Sequence, residues 1–147
     1  MTTIKFCDEG LLSRLEKIDL IRAETIERHQ AINDYHKNCA GTDDSPLDGP
    51  QITNLEIYRR YITAYLKSRP DVYPTERTLV VRTLEPQPTG LPIEIYLFTR
   101  TTQWEQYEAI QSEISEHLLA AAPHFDLRVF QEPTGMDFAL FARSAVA

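Results

Sequence analysis

Residues 78–99 read TLVVRTLEPQPTGLPIEIYLFT, with β-branched and aromatic side chains at both ends and three prolines and a glycine between them. That composition predicts two strands, 78–84 and 93–99, joined by a connection that cannot itself enter a ladder. In the second strand Ile93, Ile95 and Leu97 fall on one face and Glu94, Tyr96 and Phe98 on the other. Such alternation suits a sheet with one face under helices and the second partly covered.

A helix is predicted on each side of this pair. Upstream, Thr53-x-x-Glu56 is a capping box, in which each side chain can satisfy an orphan backbone N–H. Leu55, Tyr58, Tyr61, Ile62, Tyr65 and Leu66 follow at helical spacing, and Arg69-Pro70 ends the run. Downstream, Thr102-x-x-Glu105 is a second capping box, and Tyr107, Ile110, Ile114 and Leu118 are expected to form the buried stripe of a helix that must stop before Pro123. A last strand, 127–130, leads into a turn fixed by Pro133 and Gly135. Over 52–135 the order is helix, strand, strand, helix, strand. It predicts an α+β fold, a two-layer ferredoxin-like α/β sandwich.

Residues 1–37 precede it as a short strand and a helical segment. Thr2 to Cys7 is β-prone, Asp8 can cap a helix from Glu9, and Leu11, Leu12, Leu15 and Ile18 make its apolar stripe. From Glu24 to Lys37 the apolar positions thin to Ile26, Ala31, Ile32 and Tyr35, the mark of a more solvated helix. Residues 38–51 gather Gly, Pro, Asp and Ser and read as a flexible linker. The tail, 136–147, is apolar but short.

The whole chain is 147 residues with 42% hydrophobic side chains, enough for a real core and too many for a disordered or low-complexity class. Its net charge of −7 disfavours nucleic acid and anionic lipid, both of which are gripped through basic side chains. Apolar runs such as 93–98 and 118–122 fall far short of the roughly 20 residues needed to cross a bilayer. Two cysteines, Cys7 and Cys39, with no secretory signal before them, fit reduced thiols in a cytosol.

Chemistry is hard to find in these residues. His36-x-x-Cys39 beside Asp43 and Asp44 offers one imidazole and one thiol in a linker, a poor metal site. His29 shares a polar helix face with His36, while His117 and His124 flank a helix end where an imidazolium complements the dipole. There is no nucleophile elbow, no cysteine framework for catalysis and, with five glycines, no phosphate-cradling loop. The carboxylate pairs Glu105 with Glu108 and Glu113 with Glu116 suit a solvated helix face. No catalytic, cofactor-binding or metal-binding residue is therefore expected, and no enzyme. Aromatic residues crowd the second half, and without a basic groove for stacking on nucleic acid, Tyr96, Phe98, Trp104 and Tyr107 are expected to pack in the core or at a subunit interface.

The segment Gly90-Leu91-Pro92-Ile93-Glu94-Ile95-Tyr96-Leu97-Phe98-Thr99, with Trp104, Tyr107-Glu108-x-Ile110-Gln111, and His117-Leu118-Leu119-Ala120 through Leu127-Arg128-Val129-Phe130-Gln131-x-Pro133-Thr134-Gly135, resembles one family. It is similar to the cytoplasmic C-terminal region of bacterial mechanosensitive channels of the small-conductance family, miniconductance type. Ile4-Lys5-Phe6-Cys7-Asp8-Glu9 and Ile18-Asp19-Leu20-Ile21 resemble the stretch after that family's pore-proximal β domain.

The resemblance implies a piece of a channel on the cytoplasmic side of the bacterial inner membrane, with transmembrane helices and a β domain upstream. It also implies a ring, typically of seven subunits, around a hollow vestibule that influences gating and inactivation in the osmotic-stress response. No residue of this region is catalytic in the family, and no cofactor is implied. A net negative wall would bias which ions gather in such a vestibule. The rival reading is a stand-alone ferredoxin-like module that binds a ligand or oligomerises.

Overall fold

The computed structural model describes residues 1–38, 47, 49–73, 79–132 and 135. Among them are four α-helices and one two-stranded antiparallel sheet, so the chain mixes helix and sheet. Helix α1 is Glu9–Leu15, α2 Arg22–Asn38, α3 Asn54–Ser68 and α4 Trp104–Ala121, and the strands are β1 Val80–Thr83 and β2 Ile93–Tyr96.

Helix α3 is the spine. Of its predicted stripe, Leu55, Tyr58, Tyr61, Ile62 and Leu66 are buried, together with Ile57 and Asn54, while Tyr65 is half-buried. Thr53 caps it by accepting from the Glu56 N–H (3.1 Å). The Glu56 carboxylate turns away from the cap to Arg28 (3.3 Å) and Arg60 (3.1 Å), so the reciprocal half of the capping box gives way to ion pairing. Arg69 at the C-cap is extended, as a residue before proline must be.

The strand predicted over Thr2 to Cys7 does not form. This stretch makes two isolated antiparallel bridges, Thr2 with Arg128 and Phe6 with Thr53. Thr3 between them sits at φ 62°, which turns the chain and leaves Ile4 and Phe6 exposed. Cys7 N–H donates to Ile52 O (2.8 Å) and Asn54 N–H to Lys5 O (3.1 Å). The chain thus departs and returns at one place, and helices α1 and α2 are an excursion with paired stems. In α1 Asp8 accepts from the Leu11 N–H (2.7 Å), and Leu11, Leu12 and Leu15 are buried. In α2 the buried residues are Thr25 and Ile32, as expected of a solvated helix. Most of the predicted linker (39–46 and 48), Pro133 and the tail lie outside the described residues. Gly135 has open space around it.

Strands β1 and β2 pair in the register Val80 with Tyr96, Val81 with Ile95, Arg82 with Glu94 and Thr83 with Ile93. Their connection closes through reciprocal bonds between Gln87 and Gly90 (3.0 and 2.8 Å). Gly90 lies at φ 105°, and a Cβ there would stand 2.6 Å from Met1 O, so this turn requires glycine.

Helix α4 starts without the predicted box. Its N-cap is Gln103, which makes no side-chain cap bond. The Thr101 hydroxyl intervenes, accepting from Gln103 N–H (3.1 Å) and donating to Gln106 Oε1 (2.8 Å). Ile114 and Leu118 are buried, and α4 passes into a 3-10 helix, Ala122–Phe125, that accommodates Pro123 in its first turn. Asp126 then takes the left-handed region at φ 55°. Hydrogen bonds from Lys5 and Arg14 (2.8 Å each) hold its carboxyl below the usual carboxylate range. The strand predicted at 127–130 amounts to the single Thr2–Arg128 bridge, because Thr3 carries its partner chain away; Leu127 is buried all the same.

Among the described residues two polar side chains, Thr25 and Asn54, are buried, and they differ in partners. Asn54 donates to Thr3 O (3.0 Å) and Phe125 O (3.1 Å) and accepts from Lys5 N–H (3.0 Å). The Thr25 hydroxyl has no hydrogen-bond partner among the described residues. Asn54→Ala is therefore expected to destabilise by about 3 kcal/mol, and Thr25→Val to stabilise by roughly 1 kcal/mol, since an unmade buried bond costs more than an absent one. Urea unfolding of both variants checks the opposite signs.

Candidate docking surface

Alternation along the hairpin decides where the predicted aromatic residues go. Val81, Ile93, Ile95 and Leu97 pack against the core. Tyr96 and Phe98 therefore stand on the outer face, exposed and edge to face with ring centroids 5.3 Å apart. Val80, directly across from Tyr96, is exposed beside them, and the Arg82–Glu94 ion pair crosses the same face. Trp104 opens α4 and is 73% exposed, the most of any aromatic side chain described. Tyr107, one turn on, is also exposed. All four predicted residues are thus at the surface, which settles them outside the core. Phe125, by contrast, is a core residue.

Between β2 and α4 runs a groove of about 530 Å³. Ile93, Ile95 and Leu97 line its sheet side, Ile110, Ile114 and Leu118 its helix side, with Tyr58 and Ile62 of α3 beneath and Tyr96, Tyr107 and Leu119 at the rim. This groove could not be read from the sequence, since its walls come from β2, α3 and α4, which are separate elements along the chain. The exposure of Leu119 on a mainly polar face was its one local sign.

The sheet edge beside the groove is open. Leu84 N–H donates to Pro92 O (3.1 Å), and hydrogen-bonded pairs alternate in an antiparallel ladder. The main-chain groups of Ile93 and Ile95 therefore face away from β1. Met1 covers that edge at Leu91, exchanging both bonds with it (2.6 and 2.9 Å). No other pairing on that edge occurs among the described residues. An apolar face, an apolar groove and an unpaired edge meet here, a combination that in other proteins receives another chain.

Tyr58 at the groove's base donates to Leu118 O, and burial, aided by Tyr61, pushes its phenol up to about 12. His117 is engaged by packing, stacked on Tyr65 (4.0 Å between centroids) with Nε2 2.6 Å from the Tyr61 hydroxyl. His36 Nε2 lies near Pro50 O and Gln51 Nε2 (3.2 and 3.3 Å), while Cys39, Asp43 and Asp44 of the weighed metal cluster fall outside the described residues. Among the described residues no three His, Cys, Asp or Glu side chains converge on a metal position. Burial and the neighbouring Asp8 push the Cys7 thiol up to about 11, which keeps it protonated and a weak nucleophile near neutrality. No described helix is long and apolar enough to cross a membrane.

Compared with known proteins, the chain matches no protein-family model and no solved structure.

The raised Tyr58 phenol sets a pH dependence. The native state favours the protonated form, so this contribution is complete below about pH 10, where the unfolded phenol titrates, and is lost as pH rises through about 12. Tyr58→Phe is expected to cost about 1 kcal/mol at neutral pH and to flatten the alkaline fall in stability, as read by thermal melts across that window.

Proposed function

We propose that this chain is an assembly module of a ring-forming mechanosensitive channel of the small-conductance family, acting through packing between copies rather than through chemistry. The observation that carries the assembly reading is the coincidence of the exposed Tyr96, Phe98, Trp104 and Tyr107 with an apolar groove and the open edge of β2. Aromatic side chains with a polar tip are favoured where a surface is buried by a partner. The channel context rests on the resemblance of residues 90–135 and of the two N-terminal segments. Its consequences are a vestibule on the cytoplasmic side of the membrane, a ring of about seven copies and an influence on gating.

The ferredoxin-like arrangement belongs to the same proposal. If the α1–α2 excursion is set aside, the order is N-terminal arm, α3, β1, β2, α4 and the 127–130 segment. Laterally, residue 128 adjoins Thr2, Met1 adjoins Leu91, and β2 adjoins β1. These two orders of neighbours support the ferredoxin-like reading. At the junction that plan would make parallel, Met1 and Leu91 exchange both bonds between the same two residues, which is the antiparallel pattern.

Sedimentation velocity on the chain tests the assembly. The expected result is a discrete oligomer at tens of micromolar that Tyr96→Asp with Trp104→Ser converts to monomer without loss of helicity. A wild-type chain that stays monomeric at the highest attainable concentration overturns self-assembly through this surface. The channel reading is tested by translating the gene in frame upstream of Met1. Several apolar runs of about 20 residues support it, and an in-frame stop with its own ribosome-binding site overturns it.

A further inference from the structure

On the other side of α3 lies a larger cavity, about 730 Å³, between α2, α3 and β1. Four cations, Arg28, Arg59, Arg60 and Lys67, and two carboxylates, Glu24 and Glu56, contribute to its lining. A positive excess at one place in a chain of net charge −7 is against the trend of the molecule.

The cations divide into two kinds. Arg28 and Arg60 both reach Glu56 Oε1 (3.3 and 3.1 Å), and Arg60 also meets Glu24 (3.5 Å), so their guanidinium groups are held in place. Arg59 and Lys67 take part in no ion pair among the described residues. Thr63 stands between them at four-residue spacing, which aligns all three along one line of the helix, with about 12 Å of axis between the two cations. The Thr63 hydroxyl donates to Arg59 O (2.9 Å). Thr83 of β1 closes the opposite wall.

We infer that this cavity is a binding site for a small polyanion carrying phosphate or carboxylate groups. Guanidinium forks match both groups in shape, and a fixed pair at Glu56 beside unspent charge at Arg59 and Lys67 provides preorganised donors together with net attraction. The separation of the two free cations favours a ligand with more than one anionic group over a single small ion. This inference uses the inner side of β1 and does not depend on the assembly reading.

Calorimetric titration of the full chain with inorganic pyrophosphate, and separately with citrate, tests it, with sodium chloride at matched ionic strength as the control. The expected result is saturable one-to-one binding with Kd below ~1 mM for at least one probe, weakened about tenfold or more by Arg59→Gln with Lys67→Gln. Preference for pyrophosphate assigns the phosphate class, and preference for citrate the carboxylate class. Heat no greater than the chloride control, or binding unchanged in the double variant, overturns the site. Amide chemical shifts of the wild-type chain give a readout that needs no variant. Perturbation by the bound probe centred on residues 59–67 and 81–83 supports the inference, and perturbation centred elsewhere overturns it.

Discussion

The side-chain amide of Asn54 uses both N–H groups and its carbonyl on three backbone groups from three places in the chain: Thr3, Lys5 and Phe125. It sits in the first turn of α3 and is wholly buried, and its bond to Phe125 O is buried as well, where an unpaired carbonyl would be costly. The N-terminal arm offers one bridge at Thr2 and another at Phe6 with a left-handed residue between, too little ladder to hold itself. Asn54 supplies the missing link, tying the arm to α3 and to the 3-10 helix that ends α4. Beside it, the Thr2–Arg128 bridge and the Thr3 hydroxyl's bond to Asp126 O (2.7 Å) lead the arm on to Met1 against Leu91 at the end of the groove.

Legibility in the sequence tracks how local each determinant is. The stripe of α3, the Asp8 cap of α1, the stop at Pro123 and the alternation of β2 depend on neighbours within one or two turns, and all are present. The strands at 2–7 and 127–130 required each other, and their pairing is decided by one backbone angle at Thr3, for which a threonine gives no warning. The capping box before α4 failed through a hydroxyl one residue earlier, at Thr101, a competition among adjacent threonines that spacing does not rank. Asn54 carries no local signal of its role, since its three partners lie about 50 or 70 positions away along the chain.

The candidate surfaces follow the same division. Alternation in β2 separated Tyr96 and Phe98 from Ile93, Ile95 and Leu97 in the sequence, while the choice between core and interface for them needed the fold. The groove beside them is walled by β2, α3 and α4 together, and the basic cavity by α2, α3 and β1. Neither can be read from periodicity. The charged residues of that cavity belong to two helices separated by the linker, and the overall acidity of the chain concealed a local excess of the opposite sign.

Strand β1 stands between these two surfaces and serves both by alternation. Val81 and Thr83 wall the cavity, while Val80 and Arg82 lie on the outer face beside Tyr96 and Glu94. With only four residues in the strand, no side-chain position on one face is more than one residue from a position on the other. A partner packed on the outer face would restrict the same backbone that shapes the cavity wall. A ligand filling the cavity would in turn restrict the backbone that presents Val80 to the partner. Linkage makes any such coupling equal in both directions, so its size is bounded by how far β1 differs between the free and covered states. The hairpin has no third strand on either edge among the described residues. It is therefore the part of the fold where ordering by a neighbour has the most to add, because a two-stranded ribbon alone is marginal in water.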